Sequence, residues 1–234
     1  KQFAKSRFTP MRDNRFSVVD LDGVNDYIDF GSDINLGTAS TLSFWIGGLS
    51  DTSDTRYLIG SSSANELMIR QVGNVKHLVV IMGESGDNDT WDYSYDHSLM
   101  SHLVFVRSSS TEWKVYLNGS LQDTLTDSDW SNDDTKIRYI GRNNAGYYLQ
   151  AIITQCGFYN SALSAGEVLT QYNLGVDGDW SSDDNLQGYW KMDNASTVTD
   201  LSSNSNNGTV SGATLVDNAV ALDSTSNNND GSLI

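Results

Sequence analysis

The chain has 234 residues, 38% hydrophobic and 10% aromatic, enough for a sizeable core, and a formal net charge of −16 that would repel the phosphates of a nucleic acid. One cysteine, Cys156, excludes an intrachain disulfide and gives no support to a cysteine-ligated metal, and no apolar run approaches the roughly 18 residues that a membrane span needs. Of the 30 acids, 26 are Asp and four are Glu; with 20 Gly and one Pro, this puts acids and turn formers in loops between many short strands.

Residues 1–16, KQFAKSRFTPMRDNRF, form a basic arm studded with Phe3, Phe8 and Phe16. It lacks helical periodicity, and Pro10 pushes Thr9 toward an extended conformation. Two readings stay open: the arm packs on its own domain or frays, or Lys5, Arg7, Phe8, Arg12 and Arg15 dock on a neighbouring acidic subunit. Strand signals begin with SVVDLDG (17–23) and DYIDFG (26–31) around a turn at 23–25. TLSFWIGG (41–48), RYLIG (56–60), ELMIR (66–70) and KHLVVIM (76–82) follow. WDYSYDH (91–97) is expected as a loop, which either covers a sheet edge or lines a sugar-stacking groove with Trp91, Tyr93 and Tyr95.

SHLVFVR (101–107) alternates as a half-buried strand does, and EWKVYLNGSLQDTLT predicts a hairpin. Trp113, Val115 and Leu117 share one face of it, and Asn118-Gly119 supplies the two positive-φ residues of a type I′ turn. KIRYIG (136–141) and LQAIITQCGFY (149–159) complete the strands, with Cys156 expected as a small buried hydrophobe. A single helix is predicted over 165–172: Ser164 can cap it, Glu167 can close a capping box, Val168, Leu169 and Tyr172 form its apolar face, and Gly175 ends it.

The composition then shifts to DGDWSSDDNLQGYWKMDN and to two similar pieces, DLSSNSNNGTV (200–210) and LDSTSNNNDGSLI (222–234). Each reads as a turn followed by a short strand, able to add to a sheet edge or to another chain, with an unstructured tail as the alternative. Turn signals every 8 to 15 residues without βαβ alternation predict an all-β, antiparallel sandwich or barrel. Its parts are the extended arm 1–16, a body over 17–175 and an Asn/Ser-rich C-terminal extension over 176–234.

LDGVNDYIDFG, TLSFWI, SHLVFVR with WKVYLNG, and YIGR through FYNSALSAGEVLTQY together resemble laminin-G-like jelly rolls of the concanavalin A type. The resemblance covers roughly residues 17–173, and NLQGYWKMDNASTVTDLSSNSNNGTV resembles the opening of a second such unit. It implies a concanavalin A-like jelly roll with extended terminal arms. It also implies that His102 is a strand histidine held by packing. Members of that family often hold calcium, many with an Asp-Glu pair before the Tyr-Asn strand; the matching positions here are Thr154 and Gln155, which carry no charge. Asp20, Asp22, Asn25 and Asp26 remain as oxygen donors in a tight loop, to be weighed against a plain Asp-Gly turn.

Some members of the broad family cleave or eliminate polysaccharides, chemistry that needs convergent carboxylates. The four glutamates are scattered, no Glu-x-Asp-x-Glu occurs, and His77, His97 and His102 are too far apart for a local metal motif. The chain is therefore expected not to be an enzyme. The first expectation is a decoration protein on a larger assembly, such as a phage or other virus particle, joined to its neighbours, including further copies of itself, through its arms. The alternative is a carbohydrate-binding or adhesion module at a virion, cell or extracellular surface. No nucleic-acid partner and no membrane insertion are expected, and no cofactor beyond the calcium of the Asp loop.

Overall fold

The structure is a computed structural model that describes residues 15–49, 55–62, 68–71, 77–81, 88–92, 100–126 and 134–220. In chain order the strands are β1 (Arg15–Asp22), β2 (Tyr27–Gly37), β3 (Ser40–Gly47), β4 (Arg56–Gly60), β5 (Met68–Gln71), β6 (His77–Ile81), β7 (Asn88–Asp92) and β8 (Ser101–Ser109). Then come β9 (Glu112–Leu117), β10 (Ser120–Thr126), β11 (Thr135–Ile140), β12 (Gln150–Tyr159), the helix α1 (Ala165–Leu174), β13 (Leu186–Lys191), β14 (Thr197–Val198), β15 (Gly208–Ser211) and β16 (Thr214–Val220).

These strands make two antiparallel sheets, the jelly-roll sandwich that the family resemblance implies. One runs β10, β9, β8, β3, β12, β1, β16 with β13 beside β12; the other runs β14, β15, β2, β11, β4, β5, β6, β7. Residues 150–153 of β12 pair with β1, and residues 155–159 of the same strand pair with β13. The segment after the helix is thus built into both sheets: β13 lies on β12, β15 on β2 and β16 on β1.

Leu21, Ile28, Phe44, Phe105, Trp113, Ile153, Phe158 and Trp190 meet between the sheets in a core from which water is excluded. Alternation along β3 explains how a second core arises. Leu42, Phe44 and Ile46 point inward, while Thr41, Ser43 and Trp45 point to the outer face, yet the whole strand is buried. The reason is α1 and the segment after it, which lie over that face and enclose Trp45, Val104, Tyr116, Val168, Trp180 and Tyr189. The polar members of β3 anchor this cover: Thr41 Oγ1 donates to Ser161 O at 2.8 Å and accepts from Leu163 N at 2.9 Å, and Ser43 Oγ donates to Gln171 Oε1 at 3.0 Å.

The predicted capping box forms, with Glu167 N donating to Ser164 Oγ at 3.3 Å and Ser164 N to Glu167 Oε2 at 2.7 Å. Gly175 ends the helix at φ +81°, a left-handed backbone that favours glycine. The helix differs from expectation on one face: Leu169 is exposed and Gln171 is buried, because Gln171 is the residue that Ser43 and Tyr159 hold. Asn118 and Gly119 take the positive φ values of the expected turn, 50° and 76°. Cys156 is fully buried, and burial raises its thiol pKa well above the ordinary value.

Several boundaries move. β1 starts at Arg15, so the last two residues of the basic segment pair with β16. β2 continues through the Gly31–Gly37 stretch that its polar sequence hides, and β7 pairs with β6 where a loop was expected.

Candidate functional site

The expected site residues fall in several places. Trp91 lies in β7 opposite Leu78. Tyr93 and Tyr95 lie outside the described residues, as do Lys5, Arg7, Phe8, Arg12 and the second Asn-rich piece, 222–234. Arg15 opens β1, paired with Val220.

Asp20, Asp22, Asn25 and Asp26 are brought together at the turn from β1 to β2, where the carboxylates of Asp22 and Asp26 bond the turn's own amides. Asp22 Oδ1 accepts from Val24 N at 2.7 Å and from Asn25 N at 3.3 Å, and the buried Asp26 accepts from Asp22 N at 3.0 Å through Oδ2. Burial pushes the Asp20 carboxyl up, and neighbouring Asp22 adds to it. Burial also raises Asp26, and the hydrogen bond from the Asp22 amide only partly opposes this. Among the described residues no group of three or more His, Cys, Asp or Glu side chains is arranged to hold a metal ion. These hydrogen bonds are the ones an Asp-Gly turn makes.

Next to that turn lies a groove of about 480 Å³ between three segments: Gly23 and Val24, Thr55 and Arg56 at the start of β4, and Gly146 to Tyr148 in the loop from β11 to β12. Arg56 Nη1 ties the three together by donating to Gly23 O and, at 3.2 Å, to Tyr148 O. Gly23 stands at φ +77°, and any Cβ there would run into the Arg56 guanidinium, so the close approach needs glycine twice over.

Tyr147 is 54% exposed over the groove. Asn143 puts it there. The Asn143 side chain is buried, and its Oδ1 accepts from Ala145 N at 3.1 Å and from Tyr147 N at 3.0 Å. An Arg142–Tyr148 bridge and the bond from Leu149 N to Gly141 O, 2.8 Å, close the base of the loop. Tyr57 supports the ring from the sheet, with centroids 5.8 Å apart. Asn143→Ala would leave two loop amides without their acceptor and is expected to destabilise the protein by about 1–3 kcal/mol; urea denaturation measures it.

Behind the groove, Arg142 lies against three rings, 4.6 Å from Tyr139, 4.7 Å from Tyr27 and 5.6 Å from Tyr148. Its Nε donates to Asn143 O at 2.8 Å. Arg138 holds Asp29 with two bonds, at 3.0 and 3.3 Å, and this pairing brings the Asp29 carboxyl below its ordinary value despite the opposing effect of burial. The arrangement offers a rigid, half-exposed aromatic platform with main-chain groups and a hydroxyl at its edge, the kind of surface that stacks on an apolar ring face and reads hydroxyl groups around it.

A family model described as the concanavalin A-like lectin/glucanases superfamily matches residues 22–169. The chain belongs to this superfamily. Among solved structures, a candidate carbohydrate-binding protein from Bacteroides ovatus is similar with a TM-score of 0.66 at 16% identity, over 91% of this chain and 62% of that one. The present chain thus spans less than two thirds of that relative. A heptameric SAP-like pentraxin from Limulus polyphemus is similar with a TM-score of 0.55 at 14% identity, over 70% of this chain and 85% of that one. At these identities the likeness is one of fold. No curated protein matches the chain.

In this superfamily member, Thr154 and Gln155 serve the fold. Thr154 Oγ1 donates to Ser17 O at 2.8 Å, and Gln155 Nε2 donates to Gly178 O at 2.9 Å, tying β1 and the segment after the helix to β12. A second cavity, about 170 Å³ beside α1, has Glu167 and Asp183 in its lining. Glu167 belongs to the capping box, and Asp183 Oδ2 accepts from Tyr159 Oη at 3.0 Å and Gln171 Nε2 at 3.1 Å. Burial, with Asp183 alongside, pushes the Tyr159 phenol up and keeps it a donor.

Tyr147 and Tyr148 went unread in the sequence because YIGRNNAGYYLQ looks like strand closure. The available signal is local: an Asn-Asn-Ala-Gly turn followed at once by two aromatics puts at least one ring at a loop surface.

Proposed function

We propose that this chain is a non-catalytic carbohydrate-binding module that takes a glycan in the groove under Tyr147. The observation that carries the reading is the exposed Tyr147 ring, fixed by Asn143 and backed by Tyr57, above a groove edged by Thr55 and Arg56. Membership of a superfamily described by lectins and glucanases supports it, as does the Bacteroides ovatus protein of the same fold. The commitment of Glu167 and Asp183 to the helix cap and a buried hydrogen-bond network supports the non-catalytic part.

Tyr147→Ala removes the platform without touching the core. Titration calorimetry against glycans found on an array is expected to show affinity falling by at least about tenfold, the equivalent of about 1.4 kcal/mol. Unchanged affinity in that variant would remove Tyr147 from the site, and reducing ends released from a polysaccharide by the purified protein would overturn the non-catalytic reading.

An extracellular or virion surface is the location that goes with this function. Display on a virus particle is a separate idea, motivated by the basic arm, of which residues 1–14 lie outside the described structure. Deleting 1–14 and measuring oligomeric state by light scattering tests it: an unaltered state counts against arm-mediated assembly, and glycan binding should survive the deletion.

A further inference from the structure

The glycan class follows from charge, on the assumption that the groove is the glycan site. We infer that the groove selects neutral glycans and discriminates against uronic-acid and sulfated ones.

An acidic sugar needs a cation with donors to give. Among the described residues that line the groove, Arg56 is the charged side chain, and its Nη1 is committed to the Gly23 and Tyr148 carbonyls. Among the described side chains, two further arginines behind the groove are also engaged: Arg142 with three tyrosine rings and Asn143 O, Arg138 with both oxygens of Asp29. Turning Arg56 or Arg142 toward a carboxylate or sulfate would break bonds that hold the loops around the groove.

The surrounding charge works in the same direction. Asp20, Asp22 and Asp26 lie at the turn that forms one wall, with the Asp22 side chain exposed. The whole chain carries −16. A ligand bearing several negative charges meets like charge at the rim and in the wider field, and both act over a screening length that depends on salt. A neutral ring meets the Tyr147 face, the Thr55 hydroxyl and main-chain groups without that penalty.

The test uses the full chain and matched hexasaccharides: neutral xylan-, mannan-, arabinan- and cellulose-derived probes against oligogalacturonate, oligoalginate and heparin-derived ones. Affinities are measured between about 0.01 M and about 0.1 M NaCl, where the screening length falls from about 30 Å to about 10 Å. At least one neutral probe is expected to bind with little change across that range, and every acidic probe to bind at least about tenfold more weakly at low salt. Asp22→Asn keeps the acceptor oxygen of the turn and removes one rim charge; the ratio of acidic-probe to neutral-probe affinity should rise in that variant. An acidic probe that binds as tightly as the best neutral one, and weakens as salt rises, overturns the inference while leaving a glycan site in place. Binding by no probe in either class sinks both this inference and the groove itself.

Discussion

Replacing Trp190 by alanine is expected to destabilise the protein by about 3–5 kcal/mol, a large part of the total stability of an ordinary domain. Trp190 is fully buried in β13, with its ring 4.5 Å from that of Phe30 in one sheet and 5.1 Å from that of Phe158 in the other. Its Nε1 donates to Asn206 O at 2.8 Å. One side chain therefore joins three things: the inner core, the strand that completes the edge of β12, and the first Asn-rich loop. That loop is built around Asp200, whose carboxylate accepts from Tyr189 N, Ser202 N, Ser202 Oγ and Asn206 N at 2.8–3.0 Å. Truncation to alanine empties a space between two sheets that are pinned elsewhere and so cannot collapse to fill it. Chemical denaturation monitored by the remaining tryptophans measures the loss. A change of less than about 1 kcal/mol would mean that β13 is peripheral to folding, contrary to its position in the core.

The second large effect concerns acid. His102 is fully buried under α1, with Ser43 Oγ 2.9 Å from Nε2 and the rings of Trp45, Tyr172 and Trp180 around it. None of these neighbours can neutralise an imidazolium, and burial lowers the His102 pKa from 6.5 to about 3. The direction of the linkage follows. Above pH 6.5 the imidazole is neutral in folded and unfolded chains alike; below it the unfolded chain takes up a proton that the folded one refuses until about pH 3. Stability contributed by the neutral form is thus present above pH 6.5 and lost as pH falls toward 3, with a slope approaching about 1.4 kcal/mol per pH unit. His102→Gln keeps a hydrogen-bonding group for Ser43 and cannot be protonated. The wild-type protein should therefore lose its advantage over the variant as pH drops from 6.5 to 5, a window above the range where carboxylates such as Glu167 and Asp179 titrate. Parallel stability curves for the two proteins across that window would refute the assignment.

The burial of His102 has a cause that reaches back to residue choice. On β3, β8 and β12 the alternation of side chains is regular, and it predicts a solvated outer face. In the structure that face carries Ser43, Trp45, His102, Val104, Gln155 and Tyr159, all buried beneath α1 and the segment that follows it. Polar residues on a strand look the same whether they meet water or a partner; here the partners are Gln171, Gly178 and Ser161, which are distant in the chain.

Local order was therefore legible from the residues alone. Short apolar runs between turn formers specified the strands, Asn118-Gly119 the hairpin turn, and Ser164, Glu167 and Gly175 the two ends of the helix, because each depends on neighbours a few positions away. Tertiary structure alone decided the rest. It brought the 186–220 segment back to complete both sheets, turned the Asp20–Asp26 cluster into a hydrogen-bonded turn, and joined 23–24, 55–56 and 146–148 into one groove. Those outcomes depend on which distant strands pair and in what register, and antiparallel ladders are closed by main-chain hydrogen bonds that leave no mark on the identity of the side chains.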